Sequence, residues 1–396
     1  MTSSESYEGF DRFANLVAAH LSVLSALDAG PALPPGRRID DQPTEIHDLN
    51  GELLFWRAPI IDAADSYDGD SYVDIAAHPA LGAPLVALSH GVAWNPGEFV
   101  DRAQATLDRQ LSTEIDEVRF VAYSFPKIAV QFLNRGNELA LVELFSWLPV
   151  PQRPERLAAE LPGNFERWSY LDEQPGDLRE RNLRRFAQRA EGLAALADRF
   201  ELRDRRIIEL DRDSLIDLLR PRTDSRELHY SGRATDHATC YELRGQETNV
   251  WCVAASVQMV LDFYRYDYDQ TRIASQLGLG TKANPNGLPF NRSGDTSTAL
   301  QVLSNNSLAS TMNTSPNFAQ FRSEILANRP LVSFIPGHSR SVAGYTRTTA
   351  VLNPAVGFSG LLVFDPWPPN AGVITRWENV DSQTYVRTFD AHVTLV

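Results

Sequence analysis

The feature that most constrains this chain is a tryptophan–cysteine pair that directly precedes an apolar run. From 253 to 264 most residues are small or apolar, and this composition predicts a buried helix. Cys252 would lie in the first turn of that helix, with Asn249 as its N-terminal cap. There, unsatisfied backbone N–H groups and the helix dipole stabilise a thiolate, and a nearby imidazolium would lower the thiol pKa further. The sequence therefore predicts that Cys252 is a reactive nucleophile.

Three further residues could complete a catalytic site around this cysteine. Gln246 lies six residues before Cys252, so a folded-back loop could place its amide beside the sulfur and stabilise an oxyanion. His338 follows a Pro-Gly turn and begins a predicted strand, a rigid position for a general base. Asp365 ends the apolar run 361–364 and could accept the Nδ1–H of His338, which would fix its tautomer.

Other residues could fill two of these roles. Asp381 and Asn353 are weaker substitutes for Asp365. His229 and His237 precede the cysteine, but they lie in a polar segment that would position a base poorly.

The sequence predicts neither a metal nor a cofactor. No histidines and carboxylates have a metal-ligand spacing, and Gly278-Leu279-Gly280 lacks the strand and third glycine of a dinucleotide-binding loop. The only other cysteine, Cys240, is interpreted as a buried apolar residue, because a disulfide with Cys252 would abolish the thiolate. Two cysteines exclude a disulfide framework and fit a reducing compartment.

The net charge of −14 argues against nucleic acid or an anionic membrane as a partner. The N-terminus lacks the basic region of a signal peptide, and no run of residues is long enough for a membrane span. We expect a cytoplasmic protein, with export only by a non-classical route, whose partner is a peptide or protein substrate. The sequence does not indicate an oligomeric state.

The Gln-x5-Cys element with Trp-Cys-x-Ala-Ala, the Gly-His strand start and the later Phe-Asp-Pro-Trp motif resemble papain-like cysteine peptidases. They look closest to the compact bacterial branch, with the C39-like peptidases and the relatives of the staphopains and the AvrRpt2 effector. The resemblance covers residues 240–396. It implies a helical subdomain that carries Cys252 and an antiparallel half-barrel that carries His338 and Asp365. It also assigns Gln246 to the oxyanion hole.

The organisation of the chain predicts an α+β protein of two parts. Residues 1–220 would form an α+β domain with an antiparallel sheet, residues 221–237 an exposed connector, and residues 238–396 the papain-like domain. The predicted N-terminal strands are 53–56, 85–88, 118–123, 128–133 and 139–147, and the predicted helices are 16–27, 99–111, 178–202 and 210–219.

We therefore expect a cysteine peptidase that hydrolyses peptide or isopeptide bonds. Its N-terminal domain would inhibit it as in a zymogen, with release by autoprocessing in the connector, or would dock partners without leaving. A transamidase that uses the same site is a second possibility, and a catalytically silent papain-like binding module is a third.

Overall fold

A computed structural model of the chain describes residues 3–28, 33–62, 67–90, 94–107, 114–152, 166–202, 204–229 and 241–394. The helices in these ranges are α1 Ser3–Ala26, α2 Pro96–Leu107, α3 Tyr170–Glu173, α4 Gly176–Arg199, α5 Arg212–Leu219, α6 Cys252–Phe263, α7 Gln270–Leu277, α8 Asp295–Leu303 and α9 Phe318–Leu326. The strands are β1 Arg38–Ile39, β2 Thr44–Asp48, β3 Leu53–Ile61, β4 Tyr67–Ala76, β5 Leu85–His90, β6 Glu117–Ser124, β7 Lys127–Asn134, β8 Asn137–Glu143, β9 Pro221–Glu227, β10 Gly280–Thr281, β11 Asn284–Pro285, β12 Leu308–Ala309, β13 Met312–Asn313, β14 Leu331–Ile335, β15 His338–Ala350, β16 Phe358–Asp365, β17 Val373–Asn379, β18 Arg387–Asp390 and β19 His392–Val393.

Fifteen of the strands in the described residues form one sheet. Its order is β13-β18-β14-β15-β16-β17-β5-β4-β3-β2-β6-β7-β8, with β1 on β3 and β9 on β15. The pairing is antiparallel except between β2 and β6. The predicted α+β class and the antiparallel character of the sheet are confirmed.

The sheet continues without a break from the N-terminal half into the C-terminal half. Strand β5 pairs with β17, and Leu88 lies opposite Trp377 in that register. The side chain of Asn379 donates to the carbonyl of Leu85 at 3.0 Å and reinforces the junction. The two halves therefore share backbone hydrogen bonds as well as side-chain contacts.

The largest apolar core also draws on both halves. It combines Leu21 of α1 and Val73 of β4 with Phe263 of α6, Tyr345 of β15 and Leu361 of β16, all buried. A second core lies within the N-terminal half, and a third surrounds the helices that follow Cys252. The shared core means that each half buries apolar surface that the other covers.

The predicted strands and helices of the N-terminal half are present with shifted ends. The predicted strand 139–147 ends earlier, at Glu143, because its carboxylate accepts the backbone N–H groups of Phe145 and Ser146 and the chain turns there. The predicted helix 99–111 begins at Pro96 and is described as far as Leu107.

Part of the predicted connector is a strand. The first seven residues of 221–237 form β9, which pairs along the edge of β15 from Gly344 to Ala350. Its charged side chains are typical of a loop, but an edge strand exposes such residues equally well. Residues 230–237 lie outside the described part of the chain, and the domain boundary stays a prediction.

Among the described helices, none combines the length and the apolar character that a membrane span requires.

Candidate active site

Cys252 is the first residue of α6 and lies inside the protein. Only 1% of its surface is exposed, and the preceding Trp251 is buried and donates its indole N–H to the carbonyl of Leu279 at 3.1 Å. The predicted cap at Asn249 is wrong: Trp251 is at the N-cap position and no side chain caps the helix. The N–H of Val253 in this open first turn hydrogen-bonds the cysteine sulfur instead.

The environment of the sulfur differs from the expected one. Burial raises the pKa of the Cys252 thiol to about 12, although the charge of Lys127 and the N–H groups of Ser339 and Val253 lower it. The helix terminus alone predicts a reactive thiolate. In this closed structure the loss of water raises the thiol pKa more than Lys127 and the two N–H groups lower it, so the thiol is protonated.

His338 begins β15 directly after a two-residue turn. Ile335 pairs with His338 across this turn, which contains Pro336 and Gly337. Gly337 has a φ of 68°, a left-handed conformation that favours glycine. The neighbouring N–H of Ser339 hydrogen-bonds the sulfur of Cys252. The turn thus brings the predicted base next to the predicted nucleophile.

Asp365 ends β16 and contacts His338. Its Oδ1 lies 2.7 Å from Nε2 of His338 and accepts the backbone N–H of Trp367 at 2.9 Å. The predicted bond was with Nδ1, but the ring presents Nε2 to the carboxylate, which leaves Nδ1 free of Asp365. Both side chains are buried, at 3% and 4% exposure.

The two members of this pair shift in pKa for different reasons. Burial lowers the pKa of His338, against the attraction of Asp365, which raises it; the charges of Lys127 and Arg340 lower it further. Burial alone would raise the pKa of Asp365, but His338, Arg340 and the N–H of Trp367 outweigh that effect and lower it. Asp365 is therefore an ionised acceptor that can orient the imidazole.

Gln246 is buried in the loop before α6. Its backbone N–H donates to the carbonyl of Pro366 at 2.9 Å, and its carbonyl accepts from Asn370 at 2.8 Å, so its loop is tied to the segment after Asp365. Its side-chain Nε2 donates to the carbonyl of Thr248 at 2.6 Å. Its Oε1 is buried without a hydrogen-bond partner among the described residues.

A buried ion pair that sequence reasoning missed lies beside the site. Arg340, two residues after His338 on β15, donates to both carboxylate oxygens of Glu378 on β17, at 2.5 and 2.9 Å. The hydroxyl of Tyr385 also donates to Glu378. Because its charge is balanced by Glu378, Arg340 can stay ionised in the interior and act on the imidazole and on Asp365. No local motif marks Arg340, because its partner lies 38 residues away.

A second missed group comes from the N-terminal half. The turn between β6 and β7 places Ser124 and Lys127 against the turn before His338. The hydroxyl of Ser124 donates to the carbonyl of Pro336 at 3.0 Å, and Nζ of Lys127 donates to the carbonyl of Gly337 at 2.9 Å. Lys127 is only 4% exposed. Sequence offers no signal for these contacts, because more than 200 residues separate the partners.

The two residues considered as substitutes for Asp365 lie elsewhere. Asp381 accepts from Arg185 at 2.6 Å and from Arg189 at 2.7 Å on α4. Asn353 donates its side-chain amide to the carbonyl of Gly192 at 3.2 Å. Both residues hold α4 against the C-terminal half and neither contacts His338.

The histidines that precede Cys252 and the second cysteine are only partly covered by the structure. His237 and Cys240 fall outside the described residues, whereas His229 is described just after β9. Within the described ranges, no three or more histidine, cysteine, aspartate or glutamate side chains form a group that could hold a metal ion.

Comparison with known families identifies a match in the C-terminal part of the chain. Residues 240–391 match the model of the Peptidase_C39 like family. This match confirms the resemblance of the C-terminal part to C39-like, papain-like cysteine peptidases. The family model leaves residues 1–239 uncovered, and a search of curated proteins found no match.

Proposed function

We propose that the chain is a papain-like cysteine peptidase in which Cys252 is the nucleophile, His338 the base and Asp365 the group that orients the base. The observation that carries this proposal is the buried 2.7 Å contact between His338 and Asp365. This pair lies next to Cys252, whose sulfur accepts a hydrogen bond from the backbone N–H of Ser339. The C39-like match of residues 240–391 supports a peptidase with a cysteine nucleophile.

The proposed reaction gives each of these residues one role. Nδ1 of His338 takes the thiol proton, and the sulfur attacks the substrate carbonyl carbon. The backbone N–H of Cys252, with the amide of Gln246, would stabilise the oxyanion. The C–N bond then breaks, and His338 returns the proton to the leaving amine. Water, deprotonated by the same imidazole, attacks the thioester, releases a carboxylic acid and restores the thiol.

The closed site also supports a restrained enzyme. Cys252, His338 and Asp365 are each less than 5% exposed, so a peptide cannot reach them in this state. Burial also keeps the thiol protonated, because it raises the pKa of Cys252 to about 12. The restraint lies in the N-terminal half, whose residues Ser124 and Lys127 bind the turn before His338.

The restraint does not require the N-terminal half to leave. Strand β5 is hydrogen-bonded to β17, and strand β9 is hydrogen-bonded to β15. A cut in the segment 230–240 would leave both ladders intact. We therefore favour a domain that stays bound over a released prodomain.

The test is cleavage of a mixed peptide library by the full-length protein, followed by mass spectrometry. The wild type should cut a subset of the peptides, and Cys252→Ala should cut none at the same concentration. A Cys240→Ala control should retain the wild-type cuts. Equal cleavage by wild type and Cys252→Ala would refute the proposal. Iodoacetamide or E-64, mapped to Cys252 in parallel, reports whether the sulfur is reactive.

A further inference from the structure

We propose that the tip of the β6–β7 hairpin, residues 124–127, is a latch that keeps the catalytic centre closed and opens locally while the rest of the N-terminal half stays in place. This inference rests on the proposed function, because it names the element that regulates that site.

The tip is hydrogen-bonded to the turn that precedes His338. Ser124 and Lys127 pair across the end of the hairpin and donate to the consecutive carbonyls of Pro336 and Gly337, at 3.0 and 2.9 Å. Nζ of Lys127 lies 5.2 Å from the ring centre of Tyr123 and 6.0 Å from that of Trp367, near Asp365. The latch therefore contacts the turn before the predicted base and lies near Trp367, which follows the predicted carboxylate Asp365.

The body of the N-terminal half is fixed much more firmly than the tip. The β5–β17 ladder, the shared core and the contacts of α4 with Asp381 all join it to the C-terminal half. Moving the whole half would break backbone hydrogen bonds and expose apolar core. Moving the tip breaks two side-chain hydrogen bonds and the edge-on contacts of Phe125 with Phe55 and Tyr170, but no backbone ladder between the halves, so local opening costs less free energy.

A cavity beside the tip gives it room to move. Phe125, Pro126 and Lys127 line this cavity together with Asp365 and Trp367. Interiors are otherwise closely packed, so a space at this junction permits a side chain to change position without displacing the core.

Burial of Lys127 carries a desolvation cost. Burial lowers the pKa of Lys127 to about 8, against the attraction of the carboxylates of Glu143, Asp365 and Glu166, which raises it. The charged form of Lys127 therefore gains hydration when the tip swings out to water. The hydrogen bond of Lys127 holds the tip in place, whereas its desolvation cost favours the open state, so the two opposed effects allow the tip to open.

The experiment measures alkylation of Cys252 by iodoacetamide in the full-length protein with Cys240→Ala, from pH 6 to pH 9. The variants are Lys127→Ala, Ser124→Ala and the pair together. The matched control is Arg135→Ala, at the exposed opposite end of β7. Thermal unfolding followed by circular dichroism establishes that each variant is folded.

If the tip is a latch, Cys252 should be alkylated faster in the Lys127→Ala and Ser124→Ala variants. Losing one hydrogen bond to a buried carbonyl should raise the open population, and hence the rate, by roughly 5- to 50-fold, and the double variant by more. Arg135→Ala should match the parent. The milder Ser124→Ala keeps the proposal testable if Lys127→Ala does not fold.

Two results would overturn the latch. Unchanged rates in folded variants would mean that the tip does not limit access. Slower alkylation of Lys127→Ala at neutral pH, recovered at high pH, would mean that Lys127 serves only as a counter-ion of the thiolate. The proposed function is judged separately: rapid alkylation without cleavage of any peptide would leave the latch standing and refute the peptidase.

Discussion

Single residues in this protein derive their properties from burial as much as from their chemical type. Cys252 lies at a helix N-terminus, yet burial raises its pKa to about 12. Asp365 is equally enclosed, but the imidazole of His338 and the guanidinium of Arg340 lower its pKa. The difference arises because Asp365 directly contacts His338, whereas Lys127 and two backbone N–H groups compensate the burial of the sulfur only in part.

Replacing Asp365 by alanine should impair the chemistry and leave substrate binding largely intact. His338 would lose the acceptor that fixes its ring, so we expect kcat to fall by about 100-fold or more with little change in KM. The attraction that raises the pKa of His338 would also be lost, so the acidic limb of the pH–rate profile should move to lower pH.

The matched control is Asp381→Ala, which removes the same group from a carboxylate that pairs with Arg185 and Arg189. Its kcat and pH profile should stay near those of the wild type. Equal losses in the two variants would show that Asp365 acts through folding alone.

Glu143 should make stability depend on pH. Burial raises its pKa to about 7, although the donors of Ser146 and Phe145 and the charge of Lys127 lower it. Because the folded-state pKa lies above the unfolded one, this stabilising contribution is complete below about pH 4.5 and is lost as the pH rises through 7. Relative to Glu143→Gln, the wild type should lose up to about 3 kcal/mol of unfolding free energy across that window.

Denaturant unfolding of both proteins at about pH 4.5, 6 and 8 measures this difference. Tyr123 and Lys127 are the titratable neighbours that interact with Glu143, and both are present in each protein. A constant difference between the two proteins at all three pH values would contradict the prediction.

Among the secondary-structure elements, the strand ends and turns of β14–β16 position the site, and helix α4 clamps the two halves together. Gly192 of α4 lies against the turn at Pro354–Val356, where a Cβ atom would come 2.1 Å from Cβ of Ala355. The absence of a side chain lets the helix approach this closely, and the carbonyl of Gly192 accepts a hydrogen bond from Asn353.

Gly192→Ala should therefore destabilise the protein, although alanine favours helices. We expect the severe overlap with Ala355 to cost about 2–3 kcal/mol, more than the roughly 1 kcal/mol that alanine gains in a helix. Thermal or denaturant unfolding measures the change. Gly176→Ala, at the start of the same helix with open space around its Cβ, should be neutral or slightly stabilising. A stabilised Gly192→Ala would show that α4 is not tightly docked.

The two halves of the molecule share one sheet and one apolar core, and we therefore expect them to fold as one unit. The sheet crosses between them at β5–β17, and one apolar core contains residues of both. The hydroxyl of Tyr170 also donates to the carbonyl of Ser382, at 3.2 Å, across the same interface.

We predict that residues 241–396 do not fold stably alone. Without the N-terminal half, the fragment would expose the edge of β17 and the core face that β4, β5 and α1 cover. Expressed alone, it should aggregate or lack a cooperative thermal transition. A monomeric fragment with such a transition would contradict this view.

A full-length protein with an inserted protease site near residue 234 tests the same point from the other direction. After cleavage, the two pieces should elute together in size-exclusion chromatography under native conditions and separate in denaturant. Spontaneous separation in native buffer would instead support a released prodomain.

The local features of the C-terminal site could be predicted from the amino-acid sequence. The apolar helix after Cys252, the Pro-Gly turn before His338 and the strand that ends at Asp365 depend on periodicity and turn chemistry, which short segments encode. The same local signals predicted most strands and helices of the N-terminal half, but they missed β2 and β4, and the predicted helix 16–27 begins at Ser3.

The surroundings of that site depend on tertiary packing. Lys127 reaches Gly337 across 210 residues, Arg340 meets Glu378 on a strand two places away, and β9 joins the sheet although its polar sequence resembles a loop. The pKa of Cys252 likewise follows from desolvation in the packed interior. Local sequence sets dihedral preferences and periodicity, whereas burial and long-range pairing exist only after the chain has packed, and so they are properties of the fold.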